Sequence, residues 1–260
     1  MLNSGLKQKI VEHKYIVGSW INTASPIVAE LMASVNFDYL TIDVEHSAID
    51  LANVQSLLQA IRAGNPSCFP LVRLPDHSYA ATKRYMDAGA GGVIAPLINR
   101  PEQAEEIIQA VKYPSRGSRG VGFCRANGYG VRLQESIETS NRESFVCVQI
   151  EHVDALSNID KVLGVPGIDA VMIGPYDLSA SMGITAQFDH PEMIKATSLI
   201  LESCCRHGIT PGIHVVQPDV NEAIRRYKEG YRMIAYSLDI TMLGHHYAKD
   251  VQAIRDQLKP

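Results

Sequence analysis

Phe145-Val146-Cys147-Val148-Gln149-Ile150-Glu151-His152 is a short apolar run that stops at an acid. It is too brief for a helix and rich in branched residues, so it reads as a buried strand. Ala170-Val171-Met172-Ile173-Gly174-Pro175-Tyr176-Asp177 repeats the pattern, with a Gly-Pro turn ahead of its carboxylate. Gln149 stands two residues before Glu151 and therefore on the same strand face. Gly174-Pro175 lets the backbone approach a ligand closely. One acid at a strand end caps a helix or opens a turn as readily as it binds anything; two acids at two strand ends suggest a metal.

The same kind of run recurs along the chain. Candidate strands are Tyr15 to Ile21, Asp38 to Asp43, Cys68 to Leu74, Gly92 to Pro96, Phe145 to Glu151, Ala170 to Gly174, Thr210 to Val215 and Arg232 to Tyr236. Between them, apolar residues repeat at three and four, as in Leu51-Val54-Leu57-Leu58-Ile61 and Ile194-Leu199-Ile200-Cys204, the period of a helix face. Pro26, Pro101, Pro191 and Pro218 sit where first helical residues belong, and Gly64, Gly89, Gly208 and Gly230 where helices should end. Eight strand-then-helix units without a break in composition predict one α/β domain over residues 1–260. That domain is a (β/α)8 TIM barrel with an added N-terminal helix and a helix after the last strand. A two-domain doubly wound protein is the alternative. The rhythm breaks from about Pro114 to Glu143, where Arg116 to Gly122 and Asn127 to Gly130 are too glycine-rich for a helix. This stretch is expected to be a long connection, either a surface excursion or a subunit contact.

The 260 residues are 46% hydrophobic, enough for a substantial core. The formal charge of -4, with no long run of either sign, argues against a nucleic-acid or polybasic membrane surface. Cys68, Cys124, Cys147, Cys204 and Cys205 show neither CxxC nor zinc spacing and read as reduced thiols of a cytoplasmic protein. Met1 to Lys14 is polar and amphipathic and lacks the apolar core of a signal peptide. No run reaches membrane-spanning length.

A barrel carries its chemistry at the carboxyl ends of its strands. Strand two ends in Asp43-Val44-Glu45-His46, strand three near Arg73, strand five at Gln149 and Glu151, and the sixth turn carries Asp177. Singly, His46 is a loop histidine, Arg73 pairs with Asp76, and Asp43 caps a helix. Jointly they place one base, one guanidinium and two or more carboxylates on one face. Two carboxylates suit a hard cation, Mg2+ or Mn2+, better than zinc. Its open positions would take the carboxylate and keto oxygens of a 2-oxo acid, with the metal acting as a Lewis acid on the developing enolate. Arg73 adds fixed positive charge beside that oxygen, and His46, oriented by Asp43, moves protons near neutral pH. Schiff-base chemistry needs a strand-end lysine, and Lys83, Lys112, Lys161, Lys195 and Lys228 all fall on predicted helices or their margins.

Gly18-Ser19-Trp20, Asp43-Val44-Glu45-His46, Val72-Arg73, Asp87-Ala88-Gly89-Ala90, Arg119-Gly120-Val121-Gly122, Gln149-Ile150-Glu151 and Ile173 to Ser179 together resemble the HpcH/HpaI aldolases, metal-dependent pyruvate aldolases. The likeness runs in order from about Gly18 to the last helix. It implies Glu151 and Asp177 as ligands of a divalent metal ion (Mg2+ or Mn2+, with Co2+ a third candidate). It implies Arg73 as the enolate-stabilising group and His46 as acid/base partner supported by Asp43. Trp20, Gln149, Gly174, Pro175, Tyr176 and His214 would line the substrate pocket. The implied reaction is reversible cleavage of a 4-hydroxy-2-oxo acid into pyruvate, or a close 2-oxo acid, and an aldehyde. Citrate-lyase-type cleavage of an acyl-CoA, or a non-catalytic barrel that binds small acids, are the alternatives. His214 ends strand seven, where relatives more often carry an apolar side chain in the aldehyde pocket, and Tyr176 adds a phenol beside the pyruvate pocket; the aldehyde is left open. The resemblance further implies a homo-oligomer, often a trimer of dimers, in which the helix from Ile240 to Leu258 packs on a neighbouring barrel. A plain barrel-closing helix is the other reading of that segment.

Overall fold

The computed structural model describes residues 5–258, so the ends of the expected 1–260 domain, with the first four residues of the Met1 to Lys14 segment, lie outside it. Eight parallel strands close in sequence order: β1 (Ile16–Ile21), β2 (Tyr39–Asp43), β3 (Phe69–Arg73), β4 (Gly92–Ala95), β5 (Phe145–Ile150), β6 (Ala170–Ile173), β7 (Thr210–Val215) and β8 (Met233–Leu238). β1 pairs with both β2 and β8, which closes the ring. The expected barrel is therefore present, and the doubly wound alternative is not.

Alternation along the strands divides the core into two layers. Trp20, Tyr39, Leu71, Ile94, Cys147 and Met172 fill the barrel interior, while Ile42, Val72, Val93, Val148, Val171 and Ile213 face the helices. Leu6, on α1 (Leu6–His13), belongs to the interior cluster and is fully buried there. The N-terminal helix thus plugs the barrel. Gly18 faces the Tyr39 ring so closely that a Cβ would overlap it.

Local chemistry explains where the helices begin and end. In α2 (Pro26–Ser34), α5 (Pro101–Val111) and α9 (Pro191–His207), proline takes the first turn. Asp50 and Asn53 form a capping box on α3 (Leu51–Gly64), and Ser78 caps α4 (Tyr79–Ala88). Gly89, Gly208 and Gly230 end α4, α9 and α10 (Val220–Glu229) in the left-handed region. Gly64 is instead the last residue of α3. Pro218 does not start α10: Asp219 accepts from the N–H groups of Asn221 and Glu222 and sets the first turn one residue later.

Two further expectations need correcting. The connection after α5 is not loop as far as Glu143, because α6 (Leu133–Glu143) occupies its end. This helix has no fully buried residue, and its half-buried face, Leu133, Ser136, Ile137 and Ser140, keeps the helical spacing with only two apolar side chains. Lys112 Nζ pins its far end, donating to Asn141 O, Ser144 O and Ser144 Oγ. The helix after β8, α11 (Asp239–Gln257), is not a barrel-closing helix: it touches β8 and β1 at its start, and Asp239 is its only buried residue. Leu243, Tyr247, Val251 and Ile254 are left exposed along it. Among the described residues, no helix is long and apolar enough to cross a membrane.

Candidate active site

Parallel pairing sets Asp43 beside Arg73 at the carboxyl ends of β2 and β3. Arg73 donates from Nε to Asp43 Oδ1 at 2.9 Å and from Nη2 to Asp43 Oδ2 at 2.6 Å, a two-point clamp that fixes the plane of the guanidinium. Its Nη1 lies 3.2 Å from Glu45 Oε2, and its Cζ sits 4.5 Å over the Trp20 ring. Asp43, only 1% exposed, also accepts from Asn22 Nδ2 and from the backbone N–H groups of Glu45 and His46. Burial pushes its carboxyl up, but the bonds and charge of Arg73 outweigh this and hold it below the usual range. The Arg73–Asp76 pair allowed by the sequence does not form as a salt bridge among the described residues; Asp76 instead accepts from Ser78 N.

Glu151 follows β5 directly and is 3% exposed. Leu97 N donates to its Oε1 at 2.7 Å, and Gln149 Nε2 donates to its Oε2. Leu97 reaches it from the left-handed region, φ 50°, a strained conformation for a leucine. Gly174 explains the turn after β6: a Cβ there would stand 2.6 Å from Glu151 Oε2. Burial first, and then the charge of Asp177, raise the Glu151 carboxyl above its ordinary range. Asp177 lies in the first turn of α8 (Pro175–Ser181), at the wall of the same cavity.

That cavity, about 50 Å3, opens at the barrel mouth and is lined by Trp20, Arg73, Gln149, Gly174, Pro175, Tyr176, Asp177 and His214. Eight of the residues expected at the site therefore share one cavity, with Glu151 directly behind Gly174 and Asp43 beneath Arg73. Tyr176 rests edge-on against Phe188 with ring centres 5.0 Å apart. A larger hollow of about 620 Å3, lined by Arg62, Arg119, Arg125 and Arg132, lies among segments before β3 and β4. It is away from the barrel mouth and has no part in this arrangement.

His46 stands at the rim, its side chain 62% exposed, with Nε2 3.7 Å from Glu45 Oε2. The expected support from Asp43 takes a different form. Asp43 spends its carboxylate on Arg73 and holds only the backbone N–H of His46; the carboxylate facing the imidazole is that of Glu45. Glu45 is thus a site residue that sequence reasoning passed over, although it stands inside the quoted Asp43 to His46 motif. Burial raises its carboxyl against the opposing pull of Arg73. Asn22 and Asp239 were also not anticipated. Asp239 accepts from Asn22 N, Thr23 N and Thr23 Oγ1, fixing the loop that delivers Asn22 to Asp43.

The residues fit a hard divalent cation. Asp43, Glu45, Glu151 and Asp177 carry four formal negative charges against one positive charge on Arg73. Each Glu151 oxygen accepts one hydrogen bond and retains a further lone pair. Among the described residues no three His, Cys, Asp or Glu side chains cluster as a ready ligand set. Glu151 and Asp177 are two carboxylates at one cavity, a sparse oxygen set of the kind a hard divalent cation accepts when substrate and water supply the rest.

A family model described as HpcH/HpaI aldolase/citrate lyase matches residues 17–246. A hydroxypyruvate/pyruvate aldolase from Paraburkholderia phytofirmans is 33% identical over 255 residues, covering 96% of this chain and 97% of its own. A 4-hydroxy-2-oxo-heptane-1,7-dioate aldolase from Escherichia coli is 35% identical over 231 residues, covering 88% and 86%. Among solved structures, an HpcH/HpaI aldolase/citrate lyase family protein from Burkholderia cenocepacia superposes with a TM-score of 0.90 at 32% identity, covering 96% of this chain and 98% of that one.

Proposed function

Because the chain belongs to the HpcH/HpaI aldolase/citrate lyase family, we propose that it is a metal-dependent aldolase. It reversibly cleaves a 4-hydroxy-2-oxo acid into pyruvate, or a close 2-oxo acid, and an aldehyde. The observation that carries this reading is the meeting of Arg73, Gln149, Gly174 and Asp177 in one cavity, with the Glu151 carboxylate against its glycine wall. Glu151 and Asp177 would hold the cation, Mg2+ or Mn2+. When bound, it supplies Lewis-acid stabilisation of the charge that develops on the 2-oxo oxygen.

The chain's own groups do the rest. Arg73, locked by Asp43 and stacked on Trp20, offers its remaining N–H groups to the same oxygen without having to reorient. His46 takes the proton from the substrate's 4-hydroxyl as the bond between the third and fourth carbons breaks; the electron pair passes into the enolate of the 2-oxo acid, which is then protonated at its third carbon. Gly174 and Pro175 keep that wall of the cavity free of side-chain bulk, so the planar 2-oxo acid lies against backbone.

The same reading makes the protein a homo-oligomer, a trimer of dimers. α11 carries Ile240, Leu243, Tyr247, Val251 and Ile254 into solvent, while Ile27 and Leu31 on α2 and Ile224 and Tyr227 on α10 are exposed beside the position a helix after β8 would fill. The α11 of a neighbouring copy covers them. Release of pyruvate from a 4-hydroxy-2-oxo acid, measured before and after EDTA and again after Mn2+ is restored, tests the function. Loss and recovery are expected, and turnover that ignores chelation would remove the mechanism.

A further inference from the structure

The glycine-rich connection after α5 and the helix α6 frame the hollow of about 620 Å3. Cys68, Gly91 and Ser144, which stand just before β3, β4 and β5, line it, so it opens at the amino ends of the strands, opposite the candidate active site. Its volume is that of a small-molecule site. Arg62, Arg119, Arg125, Arg132 and Arg142 line it, against one carboxylate, Glu135. Two of the five are matched elsewhere: Asp87 accepts from Arg119 Nε and Nη2, and Glu143 from Arg142 Nε. Arg125 and Arg132 form no salt bridge among the described residues; Arg125 Nη1 donates to Ala88 O at 3.0 Å. Burial lowers the Arg125 guanidinium from its ordinary value, partly offset by Tyr129, and the charge of Arg62 adds to the lowering. Each of the two lies against a glycine. A Cβ on Gly89 would overlap Arg125 Nη1, and one on Gly128 would stand 3.2 Å from Arg132 Cζ.

The other walls differ in kind. α6 presents the hydroxyls of Ser136, Thr139 and Ser140, none of which has a hydrogen-bond partner among the described residues. The floor is apolar, with Ile61 of α3 and Met86 of α4 both buried, and Tyr129 stands 65% exposed at the lip. The helices assigned above to the subunit contact, α2, α10 and α11, do not line the hollow. Guanidinium forks without a carboxylate match the paired oxygens of phosphate. A bare inorganic anion would leave the floor and the hydroxyls unused, and an apolar ligand would leave the arginines unmatched. A nucleotide meets all three, because it carries charge, a polyol and an aromatic ring. We propose that this hollow is a second ligand site that takes a nucleoside diphosphate, its phosphates paired with Arg125 and Arg132, its ribose along the α6 hydroxyls and its base over Ile61 and Met86 beside Tyr129.

Isothermal titration of the full chain in Mg2+ with ADP, adenosine and inorganic pyrophosphate tests this. ADP is expected to bind wild type, with adenosine and pyrophosphate each about tenfold weaker or more. R125Q and R132Q should each weaken ADP about tenfold, the worth of one charge-assisted hydrogen bond. R132Q, on an exposed side chain, carries the prediction alone if R125Q does not fold. Exchange of pyruvate's methyl protons with D2O reports the barrel mouth and is expected to continue unchanged in R132Q, whether or not the aldolase assignment holds in full. No ADP binding, equal ADP affinity in R132Q and wild type, or pyrophosphate binding as tightly as ADP would overturn the proposal. So would ADP binding that is lost in E151Q but kept in R132Q, which would put the nucleotide at the barrel mouth.

Discussion

Asp43→Asn changes one atom and puts the Arg73 clamp to the test. The Asp43 carboxylate takes two bonds from Arg73, one from Asn22 and two from backbone N–H groups, all donors. An amide in its place must turn a hydrogen toward at least one of them and gives up the charge that balances a guanidinium only 12% exposed. Removing one partner of a buried pair costs about 3 kcal/mol or more, which for a chain of this size lowers Tm by roughly 6–12 °C. The pH dependence has a definite sign. Because the folded-state pKa lies below the ordinary 3.8, the stabilisation is complete above that value and is lost as pH falls through the depressed folded value. The gap between wild type and D43N is therefore widest near neutrality and closes in acid. Urea denaturation across pH measures it, and emission from Trp20, the single tryptophan, reports the movement of Arg73 in the folded state. A gap below about 0.5 kcal/mol at pH 7, the range of an ordinary surface substitution, with Trp20 emission unchanged would refute the clamp.

Further outcomes follow from the same geometry. His46→Ala is expected to slow carbon-carbon cleavage by roughly 10^2- to 10^4-fold; a kcat within about threefold of wild type would remove the base. His214, depressed to about 4 from 6.5, binds no proton over a range where the unfolded chain does, so stability falls as pH drops from 6.5 toward 4. H214L should reduce the stability lost between pH 7 and pH 5 by about 2 kcal/mol, and an unaltered pH profile in denaturation would contradict this. Leu243→Glu combined with Tyr247→Glu places charge on the exposed apolar stripe of α11. The variant should sediment as a smaller species than wild type, and an unchanged assembly would dissociate α11 from the interface.

The strands and most helix limits were legible because each is announced locally: branched runs of four to six residues, prolines at first turns, glycines at left-handed ends. α6 was not, since the face it half-buries, Leu133, Ser136, Ile137 and Ser140, has the helical spacing but only two apolar residues to announce it. The residues expected at the site were read as types at strand ends, where barrel topology dictates convergence, and eight of them line one cavity. Which carboxylate meets which partner was out of reach. Asp43, Glu45 and His46 lie within four positions, and only the parallel register of β2 with β3 decides that Asp43 takes Arg73, leaving Glu45 beside the imidazole. The left-handed backbone at Leu97 and Ser237 leaves no trace in residue type either, because leucine and serine are ordinary elsewhere.

The most direct measurement is the exchange of pyruvate's methyl protons with D2O, followed by NMR beside Mn2+ binding by EPR, in the wild type and in Glu151→Gln. Wild type should bind the ion and exchange the protons, whereas the variant, with one carboxylate of the pair neutralised, should do neither. Exchange that proceeds undiminished in the variant, or in wild type stripped of metal, would contradict an enolate steadied between that pair and Arg73.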